Sequence, residues 1–220
     1  MNSIRYLGPG DYCTLVTDTA MNSQIVKTVY NCSEPRQVHA MVSNNPVPAE
    51  ELDISSMQLG IDDLEFALSS REHVRGVALA LTQQAQRELL LYTDDLEPDI
   101  FDQQPFLDAV SELARQHQDT QVRILVENSR KTVQQGHRLI ELSRRLSSHI
   151  QLRRPPVQYR NHGSTFMLCD GTGYFYRTLS SRYEGTASFN NPGQAAVHRK
   201  HFMEVWEQSQ YDGEIRRLHL

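Results

Sequence analysis

Residues 161–191 read NHGSTFMLCDGTGYFYRTLSSRYEGTASFNN, and this stretch decides the fold. Phe166-Met167-Leu168-Cys169 is an apolar run that stops at Asp170-Gly171. A second run, Tyr174-Phe175-Tyr176, follows the turn Gly171-Thr172-Gly173. Apolar and aromatic runs on either side of a glycine-rich turn predict a β-hairpin, because glycine adopts the positive φ that tight hairpin turns require. The segment GTASFNNP leads on to a final helix, capped by Asn191 with Pro192 in its first turn. Ala195, Phe202, Val205 and Trp206 give that helix its packing stripe.

Working back from the hairpin, the pattern alternates strand and helix. Ser69 and Glu72 form a capping-box signal for a helix whose stripe is Val74, Val77, Ala78, Leu81 and Ala85. Glu88-Leu89-Leu90-Leu91-Tyr92-Thr93 is a continuous apolar run suited to a strand buried on both faces. An acidic loop, Asp94-Asp95-Leu96-Glu97-Pro98-Asp99, comes next, then a helix opened by Pro105 with Phe106, Ala109, Val110 and Leu113 inward. Gln121 to Val126 is a further strand. One long helix capped by Ser129 is expected after it, with Val133, Gly136, Leu139, Ile140, Leu142 and Leu146 on its buried side. A half-exposed strand at 149–154 ends at Pro155-Pro156. Strand, helix, strand, helix, strand predicts an α/β layered fold with a mixed, largely parallel sheet flanked by helices.

Residues 1–60 lack a sustained pattern. Two short β-rich runs, at 12–16 and 25–30, precede a polar stretch ending in Asn45-Pro46-Val47-Pro48. The expected division is an N-terminal arm, 1–60, partly disordered as an isolated chain, and an α/β domain, 61–220.

The order of features around the hairpin resembles the phospholipase D/nuclease superfamily. That family carries a His-x-Lys-x-x-x-x-Asp-Gly segment, a strand turn, a Gly-Ser/Thr stretch and a closing helix. Aligned on Asp170-Gly171, Thr165 stands where the family has its lysine and Gly163 where it has its nucleophilic histidine. His162 is one position early, and in a strand a one-residue slip turns a side chain to the other face. Gly185-Thr186-Ala187-Ser188-Phe189-Asn190 matches the second segment better. The resemblance runs from about 71 to 210, in one copy. It implies a half-size phospholipase D-like domain and, because the family's enzymes join two halves, a homodimer. A narrower resemblance is to uncharacterised bacterial domains, some joined to an acetyltransferase domain.

Losing the histidine removes both nucleophile and leaving-group acid. A lost nucleophile costs on the order of a millionfold in turnover and a lost general acid roughly a hundred- to ten-thousandfold. The expected protein is therefore a non-catalytic binding module for a phosphate-bearing ligand, nucleic acid or a protein. The alternatives are a phosphodiesterase using His162 with Asp170 in a shifted motif, helped by His137 or His198, and an accessory subunit of an acetyltransferase.

The chain has 220 residues and a formal net charge of -5, strongly segregated. Residues 88–114 hold eight acids and no base; residues 115–160 hold ten bases against three acids. The second segment predicts a basic face for a polyanion or an acidic protein surface. Arg153, Arg154, Arg160 and Arg177 are the candidate phosphate contacts, since a guanidinium forks onto phosphate oxygens. Tyr159, Tyr174 and Tyr176 interleave with them as candidate base-stacking groups. His198 and His201, three apart, and the carboxylates of the acidic loop are candidate metal ligands, but the sequence places no third ligand for the pair and the expectation is no metal and no cofactor. Asp170 is expected to hold its turn through local backbone bonds. No apolar stretch reaches the roughly 20 residues that span a bilayer. No secretory signal is legible, and Cys13, Cys32 and Cys169 lack metal-ligand spacing. Together these predict a cytoplasmic protein with reduced thiols.

Overall fold

A computed structural model describes residues 46–134, 136–160 and 163–211, with the backbone of 12–15 and 28–31. The chain divides into two compact units, Met1–Asn45 and Pro46–Leu220. In the first, β1 (Tyr12–Leu15) and β2 (Thr28–Asn31) pair antiparallel with Tyr12 opposite Asn31.

The second unit begins earlier than residue 61. Its β3 (Val47–Pro48) pairs in parallel with β4 (Glu65–Leu68), and Ala49 and Met57 are buried in its core. The polar composition of 43–48 hid this short edge strand. Then follow α1 (Arg71–Gln84), β5 (Glu88–Thr93), α2 (Pro98–Phe101), α3 (Gln104–Gln116), β6 (Gln121–Val126), α4 (Ser129–Gln134), α5 (Arg138–Arg145) and β7 (Ile150–Arg154). The hairpin strands β8 (Thr165–Cys169) and β9 (Gly173–Arg177), then β10 (Gly185–Ser188), α6 (Pro192–Gln208) and β11 (Gln210–Tyr211) complete the unit. The strands form one mixed sheet of nine, ordered β11-β7-β6-β5-β8-β9-β10-β4-β3. Its parallel core is β7-β6-β5, and the hairpin half from β8 to β4 is antiparallel.

Both faces of β5 are covered, as its continuous apolar run requires. Leu89 and Leu91 join the core under α1, α3 and α5, whereas Leu90 and Tyr92 point to Ala195, Phe202, Val205 and Trp206 of α6. Two helix expectations change. The cap of α1 is Ser70, which accepts from the His73 N–H at 3.2 Å, not Ser69. The long helix after Ser129 is two helices, α4 and α5, separated at Gly136 with φ +72°, a left-handed conformation that stops an α-helix. Burial in α5 then follows Leu139, Ile140 and Leu142.

The hairpin turns through Asp170 (φ 50°) and Gly171 (φ 68°), closed by Thr172 N–H to the Cys169 carbonyl at 3.1 Å. Positive φ at both central residues is the turn that matches strand twist. Among the described residues, no helix is long and apolar enough to cross a membrane.

Candidate functional site

In open α/β sheets, ligands bind beyond the carboxyl ends of the parallel strands. Here that edge collects Thr93, Glu127 and Arg154, at or just past the ends of β5, β6 and β7. Because β8 runs against β5 and β9 against β8, the start of β8 and the end of β9 meet there too. Thr165 is paired with Arg177, and Thr93 is next in register beyond the Tyr92–Phe166 pair. Strand alternation puts Thr93, Thr165 and Arg177 in one row, on the face that carries Leu91, Met167 and Phe175.

All three side chains are fully buried. Nη1 of Arg177 donates to both oxygens of Glu97, at 3.0 and 2.7 Å, and Thr165 Oγ1 donates to Oε1 at 3.0 Å. Nε of Arg177 donates to the Arg182 carbonyl at 2.8 Å and Nη2 to that of Ser180 at 2.5 Å. Gly185 makes this placement possible: a Cβ there would meet the Tyr176 carbonyl oxygen at 2.3 Å and Arg177 Cγ at 2.8 Å. Glu97 arrives on a distorted loop in which Leu96, buried and not glycine, has φ 61°. Burial pushes the Glu97 carboxyl up, against the pull of Arg177 and Thr165. The hydroxyl of Thr93, buried in the same row, has no hydrogen-bond partner among the described residues.

Beside this row, the Tyr92 hydroxyl lies 2.9 Å from Glu127 Oε1 and 2.7 Å from the Tyr159 carbonyl. Burial, then the charge of Glu127, raises the Tyr92 phenol well above its ordinary range. Nε of Arg154 donates to the Glu127 carbonyl at 3.4 Å, and Nε of Arg160 to that of Pro155 at 2.7 Å.

The four candidate arginines therefore part company. Arg154 and Arg160 stand at the carboxyl-end edge. Arg177 is at the centre of it, but fully buried and matched to Glu97. Arg153 lies on the α6 face, its guanidinium 4.3 Å from the Trp206 ring centroid and 4.8 Å from that of Tyr211. Alternation along β7 forces this separation of neighbours. Among the described residues, the bases of segment 115–160 do not share one face. Arg123 and Arg153 point toward Trp206, while Arg138 sits on α5, across the sheet, bonded to Asp102 at 2.7 Å.

His162 lies outside the described residues. Asp170 is at the other end of β8 from Thr165, a strand length of roughly 16 Å, so it does not share this edge. Its carboxylate accepts backbone N–H bonds from Gln86, Arg87 and Glu88 at 2.8–2.9 Å. The expected bonds are local to the turn; these cross to the start of β5.

His137 is buried. Its Nδ1 accepts from the Leu139 N–H at 3.2 Å and Nε2 lies 3.0 Å from the Leu96 carbonyl, an arrangement that suits the neutral ring. Burial lowers its pKa, in the same direction. His198 stacks on Tyr176 at 4.7 Å, and His201 packs among Tyr92, Tyr159 and Phe166. Tyr174 is buried with its hydroxyl donating to Glu65 at 2.6 Å, and Tyr159 donates to Glu204 at 2.9 Å. Among the described residues, no three His, Cys, Asp or Glu side chains are grouped to hold a metal ion. Glu97 and Thr93 were missed as site residues. The acidic loop carried the signal, since an arginine on a buried strand demands a carboxylate.

The fold and the edge define a mixed α/β domain, one large sheet with helices on both faces and a buried ion pair at the carboxyl ends of its parallel strands. The chain belongs to the family described as Domain of unknown function (DUF7931), whose model matches residues 70–218. No curated protein matches the sequence. Among solved structures, an archaeal chromatin protein, TrmBL2, matches with a TM-score of 0.52 at 14% identity, over 71% of this chain and 56% of that one. At that identity the likeness is one of fold, and this chain spans little more than half of TrmBL2. Nuc from Salmonella typhimurium, a phospholipase D family member, matches with a TM-score of 0.47 at 14% identity, over 66% of this chain and 95% of that one. NucT from Helicobacter pylori matches at 0.49 and 9% identity, over 68% and 98%.

Proposed function

We propose that this chain is a non-catalytic phospholipase D-like domain that binds a phosphate-bearing ligand, nucleic acid foremost, at the carboxyl ends of β5, β6 and β7. One observation carries the reading. Thr165, aligned with the lysine of the phospholipase D motif that the hairpin resembles, and the buried Arg177 opposite it are both committed to the carboxylate of Glu97. The edge keeps a cation and hydroxyls, the groups that hold phosphate, while Gly163 stands where the family's nucleophile would be. Arg154 and Arg160 supply cationic reach at the rim. TrmBL2 is an archaeal chromatin protein with a novel mode of DNA binding, which makes DNA the first probe.

The test is binding of single- and double-stranded DNA by fluorescence anisotropy across a salt series. The logarithm of the affinity for duplex should fall linearly with log salt, and Arg154→Ala with Arg160→Ala should reduce the slope by roughly 0.9 per lost phosphate contact. Binding that is absent, or unchanged in the double variant, contradicts the reading.

A further inference from the structure

We propose that Glu97 is an internal anion occupying an oxyanion site built by Arg177 and Thr165, and that a phosphate-class oxyanion takes its place when the carboxylate is withdrawn. The inference rests on the reading above only in locating ligand binding at this edge.

The geometry is that of anion recognition. Arg177 is fixed by the carbonyls of Ser180 and Arg182, which leaves Nη1 to reach both oxygens of one acceptor. Thr165 adds a hydroxyl donor to the same acceptor. A guanidinium with a converging hydroxyl is the donor set that proteins aim at phosphate as well as at carboxylate.

The acceptor also lies on the outer side of its cation. The Arg177 side chain is 0% exposed and that of Glu97 13%. Withdrawing Glu97 therefore opens the guanidinium toward solvent. The next hydroxyl in the row, Thr93, is buried and has no hydrogen-bond partner among the described residues, a donor that the Glu97 carboxylate does not use. A tetrahedral oxyanion offers more acceptor oxygens than a carboxylate does.

The loop that delivers Glu97 points the same way. Leu96 is held at φ 61°, a conformation L side chains rarely adopt, and its carbonyl is 3.0 Å from His137 Nε2. Thr132 Oγ1 donates to the preceding Asp95 carbonyl at 2.8 Å. Strained backbone persists where surrounding contacts hold it, and such positions gather at ligand clamps and switches. Here the contacts hold the loop with its carboxylate in the anion position. Withdrawing the carboxylate from Arg177 would release that conformation.

The experiment is thermal unfolding and isothermal titration with inorganic phosphate, against chloride at matched ionic strength, for wild type, Glu97→Ala and Glu97→Gln. Wild type should show little response. Glu97→Ala should melt lower in chloride, recover in phosphate, and bind phosphate on the order of tenfold or more tighter than wild type. Adding Arg177→Met should abolish the recovery, and adding Thr165→Val should reduce it. Should Glu97→Ala fail to fold, Glu97→Gln, nearly isosteric and uncharged, carries the same titration. Equal phosphate responses in wild type and the Glu97 variants, or recovery that survives Arg177→Met, would overturn the proposal. If the Glu97 variants gain nothing while wild type binds DNA with the salt slope above, the internal anion is wrong and the binding reading stands. If they gain phosphate affinity and wild type binds no DNA, the internal anion stands without it.

Discussion

Thr165 and Arg177 face each other across the hairpin, and both donate to the carboxylate of Glu97. Removing the cation alone strands a buried carboxylate, so Arg177→Met should cost about 3–5 kcal/mol in denaturant unfolding. The deficit should depend on pH in a defined sense. Burial already raises Glu97, and losing Arg177 removes its largest opposing influence. The folded variant then keeps a proton that the unfolded chain releases, so its stability falls as pH rises. The gap from wild type should be smallest near pH 5 and grow toward pH 8. A gap that shrinks as pH rises would show that the pair is not the source.

Asp170 ties the hairpin turn to the start of β5 through three N–H donors. Asp170→Asn keeps a side chain that tolerates φ 50° but removes the charge. It should cost about 1–3 kcal/mol in urea unfolding and leave DNA affinity unchanged. A loss of affinity without a loss of stability would move Asp170 into the binding site.

His198 is half-buried against Tyr176, and burial, then the neighbouring His201, lowers its pKa. The unfolded chain takes up that proton near its ordinary pKa of about 6.5, and the folded chain only at lower pH. Stability from this group is complete above that value and is lost as pH falls through the window to the lowered pKa. His198→Phe should flatten the stability profile between about pH 7 and 5 by up to one proton. Identical slopes would refute it.

The sequence was most informative where a pattern is local. The hairpin, the buried central strand β5, and the Asn191 cap, which accepts from the Gln194 N–H at 3.0 Å, follow from spacing and turn chemistry. Ser69 and Ser70 are chemically identical neighbours, so pattern could not choose the cap; Ser70 accepts from the His73 N–H while the Ser69 hydroxyl donates to Glu50. Gly136 continued the apolar stripe on paper while its positive φ ended the helix. The site itself depends on partners far apart in the chain. Glu97 and Arg177 are eighty residues apart, and only the register of β8 against β5 and β9 brings them together. The run of arginines looked like one face because sequence order does not show that Arg153 and Arg154 leave β7 on opposite sides.

The central claim is a phosphate-handling scaffold without the hydrolytic reaction. Turnover of bis(p-nitrophenyl) phosphate by the purified chain, beside a His162→Ala variant, tests it most directly. The account predicts that both run at the buffer rate and cannot be told apart. Wild-type turnover that His162→Ala abolishes would contradict it.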